Sequence, residues 1–110
     1  MKVFRFCLFV TFTTILTYTV IVGKHYGLDF ISPFFGDIIK LNWAGQFNLD
    51  FSFLLMFSGL WVAWRNQFST LGIGLGLFTL VGGAPFISLY LFILSFKENP
   101  SIKEILVGKN

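Results

Sequence analysis

The chain has 110 residues, of which 55% are hydrophobic and only 12% charged, and it carries a net charge of +3. Soluble domains carry roughly 25% charged residues, so half the usual solvating charge is missing, and the composition points away from a water-soluble globule and towards a bilayer. The Lys and Arg residues are scattered without a run or stripe; this argues against nucleic acid as a partner and makes anionic lipid headgroups their natural counterpart.

Residues 1–5 are short and basic. Residues 6–23 then run without a charge, about the length a helix needs to cross a ~30 Å hydrocarbon core. A cleaved signal peptide begins in the same way. Here the apolar part is long, and Ile21, Val22 and Gly23 make a poor small-x-small cleavage site. The segment is therefore expected to remain as the first span. Cys7, Thr11, Thr14, Tyr18 and His25 share a side at helical spacing, a polar stripe expected to face other helices. Cys7 is the single cysteine. It excludes an intrachain disulfide, and no Cys/His pairing suggests a metal site, so no metal or cofactor is expected.

The first loop follows. Ser32 and Pro33 are a helix-start signal, a capping hydroxyl with proline at the first helical position. After them Phe34, Phe35, Ile38, Ile39 and Leu41 fall on one side, with Gly36, Asp37 and Lys40 on the other. This predicts an amphipathic helix over about 33–41, lying in the headgroup region. His25 and Asp29, four apart, are expected to form a local ion pair.

Trp43 suits the membrane–water interface. The second span is expected over about 47–64. Ser52, Gly59, Ala63 and Asn66 recur along it at helical spacing, a seam of small and polar residues that lets another backbone come close. A tight loop leads to the third span, about 71–96, which is longer than the core demands. Gly72, Gly76, Thr79 and Gly83 line one side of it, and this seam is expected to meet that of the second span. Pro85 lies mid-span and predicts a kink, because it lacks an N–H and clashes with the carbonyl of Val81. Beyond the membrane, Asn99 and Pro100 start a short helix over about 100–107 that Gly108 ends, and this tail is expected to rest on the surface. The reading is an all-α membrane protein: one domain, three transmembrane helices in a small bundle, and interfacial helices in the first loop and the tail.

Three crossings put the termini on opposite sides. With the N-terminus in the cytoplasm, Lys2, Arg5 and Arg65 lie inside and Lys24, Lys40, Lys97, Lys103 and Lys109 outside. That count leans the other way, but the first span and its flanks usually dominate, so the N-terminus is placed inside.

Few residues invite chemistry. Asp50 is a carboxylate within a span, which is costly and marks a functional candidate. It also lies near a helix start, where Asn48 can cap and the macrodipole favours an acid. As a proton-exchanging group it would have Gln46 one turn away. Arg65 is about 22 Å along the helix from Asp50, out of pairing reach, and is expected to snorkel to phosphates. It is grouped with Trp43, Trp61 and Trp64 as interface anchors. Gly83, Pro85 and the many Phe side chains could line a slot between helices for an apolar molecule such as an isoprenoid, quinone or carotenoid.

The segments HYGLDF, FNLDF and WVAWRN, with a proline inside the third span, resemble a family of small bacterial three-span membrane proteins of uncharacterised role. The likeness covers about residues 24–96 and maps Asp50 and Arg65 onto the family's acid and basic loop. It implies a three-helix membrane fold and no activity, and a bacterial inner membrane is the expected location. Packing seams outnumber catalytic groups, so the leading expectation is a non-enzymatic accessory or assembly subunit, in contact with lipid and with other membrane proteins or a second copy. The alternatives are an apolar-ligand binder, or a membrane enzyme or proton pathway using Asp50.

Overall fold

A computed structural model, which describes residues 1–97 and 100–110, is helical throughout its elements: α1 (Lys2–Tyr26), α2 (Ile31–Ile39), α3 (Trp43–Arg65), α4 (Thr70–Leu94) and α5 (Ile102–Val107). Three of them, α1, α3 and α4, are long and apolar enough to cross a membrane. They pack as a small three-helix bundle with α4 as the shared partner: α3 and α1 both lie against it, and α2 lies against α3.

α1 continues until Gly27, whose φ of 82° breaks the helix. The break separates His25 from Asp29, so the expected ion pair does not form. Asp29 instead accepts from the Ser32 hydroxyl (2.7 Å) and the Ser32 N–H (3.1 Å). It thus does the capping work expected of Ser32. The Ser32 hydroxyl, with its N–H second, holds the Asp29 carboxyl below its ordinary pKa. α2 starts at Ile31, two residues earlier than expected. Pro33 falls in its first turn, where a missing N–H costs nothing.

α3 begins at Trp43, four residues before the expected start, because Asn42 caps it by accepting from Gly45 N–H at 2.7 Å. Asn48, the cap expected from the sequence, is inside the helix and donates to Phe34 O of α2 at 3.1 Å. Gly45 lets α2 lie close, since a Cβ there would collide with the backbone of Asp37 and Ile38. Phe34, Asp37 and Ile38 are half-buried against α3, while Phe35, Ile39 and Leu41 remain exposed.

The largest departure is in α4. Its helix is interrupted at Gly83 (φ 60°, ψ −146°), and the two halves, residues 70–82 and 84–94, fold back on each other. Three contacts require the reversal. The Phe78 and Phe86 rings lie 4.9 Å apart, edge to face. The Tyr90 hydroxyl accepts from Asn66 Nδ2 at 2.9 Å. Asn66 sits beside Gly72, and a straight helix would carry Tyr90 about 27 Å from that level, at 1.5 Å per residue. Arg5, near the start of α1, donates to Ser95 O at 2.5 Å and to Ser95 Oγ at 3.2 Å. The chain thus leaves α4 at the end of the bundle where it entered. That end, the basal end, also holds both termini. The expectation that the termini lie at opposite ends is therefore corrected.

Pro85 is not a mid-helix kink. The break comes two residues earlier, and Pro85 begins the returning half, where no N–H partner is needed. Ser88 Oγ donates to Ala84 O (2.7 Å) and Pro85 O (3.2 Å), a back-bond that satisfies the buried Ser88 hydroxyl in a water-poor setting.

Candidate functional site

The α3–α4 seam is a backbone-to-backbone contact. A Cβ on Gly59 would sit 2.7 Å from Gly76 O, and one on Gly76 would sit 2.7 Å from Gly59 O. Ala63 O lies 3.3 Å from the corresponding point on Gly72. Gly83 is buried under Phe51, whose ring edge is 3.3 Å from where its Cβ would be. Ser52 is half-buried and turns its hydroxyl back to Asn48 O (2.8 Å) rather than to another helix. These contacts place every small residue of the seam except Ser52 directly between the two helices.

The residues with acid–base capacity are elsewhere. Asp50 lies nine residues before Gly59, two and a half turns, and so on the opposite face of α3. It is exposed, as is Gln46 one turn away. Among the described residues Asp50 makes no hydrogen bond or ion pair. Gly83 and Pro85 lie at the hairpin tip and do not share a site with Asp50 and Gln46. The four ligand candidates from the sequence are thus split between the outside of α3 and a filled turn.

Asp50 and Arg65 are about 22 Å apart along α3, less than a ~30 Å hydrocarbon core. A helix crossing the core must hold at least one of them within it. Arg65 is well supplied. Its Nε donates to Ile105 O, its Nη1 lies 3.4 Å from the Tyr90 hydroxyl, and its guanidinium stands 5.9 Å from the Tyr90 ring centre. Asp50 has none of this.

The basal end is a clasp of polar groups on helix ends. Trp61 Nε1 donates to Leu106 O at 2.8 Å, and Asn110 Nδ2 donates to Trp64 O at 2.9 Å. Ile105 is 1% exposed. Gly108, with φ 62°, closes against Arg65. Trp61 and Arg65, expected as interface anchors, also hold the tail, which is docked against the end of α3. Ser101, with a capping box to Glu104, starts α5; Asn99, the expected start, lies outside the described residues. Trp43 keeps an anchor's exposure, at 76%. On the other flank Arg5 caps the end of α4, its guanidinium 4.0 Å from the centre of the Phe96 ring. A cation at the C-terminal end of a helix is favoured by both the free carbonyls and the dipole.

The polar stripe of α1 does not face its neighbours. Cys7, Thr11, Thr14, Tyr18 and His25 are all exposed, and the packed side of α1 is Phe4, Arg5 and Leu8 with Phe12. Beyond that, residues 16–22 are exposed on every face. The cause is the hairpin: its first half spans only about 20 Å, so it ends before the far half of α1.

The sequence places Asn66 in the α3 seam and Arg5 among the flanking charges, but it does not pair them with Tyr90 and Ser95. The signal for these contacts was the double glycine before Ala84 and Pro85. Such pairs mark turns, and a turn at that point brings Tyr90 back to Asn66. Among the described residues no group of His, Cys, Asp and Glu could hold a metal ion. No family model, curated protein or solved structure matches this chain.

Proposed function

We propose that this chain is a non-enzymatic subunit that helps assemble or stabilise a larger membrane complex, through the outer face of α3 and the far half of α1. The observation that carries the reading is Asp50: a carboxylate on the face of α3 away from its own bundle, without a partner among the described residues. An ionised side chain in a hydrocarbon setting is retained when something pairs with it, and a donor on a neighbouring membrane helix meets that need. The exposed stripe of α1 supports the same reading: among the described residues the hydroxyls of Thr11, Thr14 and Tyr18 make no hydrogen bond, and a neighbouring membrane helix can supply their acceptors.

We place the chain in a bacterial inner membrane, with both termini cytoplasmic. Folding α4 back supports this side. The basal end then carries Lys2, Arg5, Arg65, Lys97, Lys103 and Lys109, against Lys24 and Lys40 at the other end, six of the eight cations to two. Short flanks rich in Lys and Arg stay inside, and the conflict raised by three crossings disappears.

The test is the size of the particle extracted from native membranes in a mild detergent. The wild-type chain should run well above its own 12.5 kDa plus micelle. Asp50→Leu should weaken that association by about thirty-fold or more, the usual cost of removing one member of a buried charged pair. A wild-type chain that remains a monomer, or an assembly indifferent to Asp50→Leu, sinks the proposal.

A further inference from the structure

We propose that a cavity at the basal end, between the end of α3, both halves of α4 and α5, binds the phosphate of an anionic phospholipid, with its chain lying along the hairpin. The cavity has a volume of about 810 Å³, within the range of about 300–1,000 Å³ in which small-molecule sites fall. Two kinds of residue line it. Arg65, Lys97 and Lys109 bring three positive charges to one place, and Leu71, Leu75 and Leu94 supply an apolar wall. Glu104 is the carboxylate among the described lining residues. It is engaged by the Ser101 hydroxyl at 3.0 Å, and counting it leaves a charge of +2 among the described lining residues, from three cations and one anion.

The arginine is held ready. Nε donates to Ile105 O and Nη1 lies 3.4 Å from the Tyr90 hydroxyl, contacts that orient the guanidinium. Nη2 has no acceptor among the described residues. A planar donor oriented in this way suits a phosphate oxygen, and the two lysines act as point charges beside it. The cavity also touches the start of α4. There the Ser69 side chain accepts from Gly72 N–H at 3.0 Å, while the amides of Thr70 and Leu71 have no acceptor among the described residues. Free amides and the positive end of a helix dipole favour the same ligand charge.

The leucines select the source of the phosphate. Leu71 and Leu75 are one turn apart on the inbound half of α4 and Leu94 lies at the end of the outbound half, so the wall runs about 6 Å from the headgroup level towards the hydrocarbon. A free phosphate would leave that wall unused. A phospholipid would cover it with the first methylenes of a chain.

The experiment uses the full chain in nanodiscs of phosphatidylcholine doped with phosphatidylglycerol of the same chain length, and native mass spectrometry counts the lipid retained on release. Phosphatidylglycerol should be retained in preference to phosphatidylcholine. The double variant Lys97→Gln with Lys109→Gln should lower that preference by about thirty-fold, from two cations near a membrane surface, with its helical content unchanged. Both lysines are exposed, so the variant tests the charge rather than the fold. Equal retention of the two lipids, or an unchanged preference in the double variant, overturns the proposal. So does competition by inorganic phosphate or glycerol 3-phosphate at the same concentrations as the lipid, because the chain would then contribute nothing.

Discussion

A methyl group is too large for Gly59 or Gly76. Each would carry it to within 2.7 Å of the other's carbonyl oxygen, and that oxygen belongs to a helix backbone that cannot turn aside. Lipid offers helices little hydrophobic reason to associate, so close backbone approach is a large part of what holds α3 to α4. Gly76→Val should therefore lower resistance to unfolding in detergent by roughly 1–3 kcal/mol, the usual cost of overpacking. Gly74 lies two residues away, where an added Cβ meets nothing within 4 Å. Gly74→Val is the matched control and should change little. Equal losses in the two variants, measured by thermal unfolding, would show that the seam does not hold the pair together. The pairing of these glycines is legible in their spacing. The pairing of Tyr90 with Asn66 is not, because they are 24 positions apart and meet through the reversal alone.

At the scale of the element, α4 decides the architecture. Its composition fits a spanning helix: 25 residues with a mean hydropathy of 2.1 over its best window. Hydropathy sums side chains and is blind to a single backbone angle. Gly83 has a φ of 60° and ψ of −146°, a region that L-residues other than glycine rarely adopt. Gly83→Ala should cost roughly 1–3 kcal/mol by forcing a Cβ into that region. Pro85→Ala should cost less, since proline there merely occupies a first-turn position and stiffens the unfolded chain by about 0.4–1 kcal/mol. A straight, proline-kinked helix predicts the opposite order, with Pro85→Ala the more consequential change. Thermal unfolding of the two variants side by side separates the two geometries.

At the scale of the whole molecule, the doubled α4 turns a chain with three apolar stretches into one whose ends meet. Reporters fused before Met1 and after Asn110 should both read cytoplasmic. Opposite compartments for the two ends would mean that α4 crosses. The same doubling leaves the far half of α1, residues 16–22, without a helix packed against it.

What the amino-acid order determined alone is local and compositional: the apolar solvent, the helical class, the three long helices, and the small residues that let two of them touch. Each follows from side-chain chemistry or from a short spacing. Tertiary structure alone decided which groups meet. It set Arg65 and Trp61 on the carbonyls of the tail, Arg5 on the end of α4, and three cations around one cavity. The reason is that one glycine, in a conformation that side-chain-bearing residues rarely adopt, reverses the chain, and every long-range polar contact at the basal end depends on that reversal.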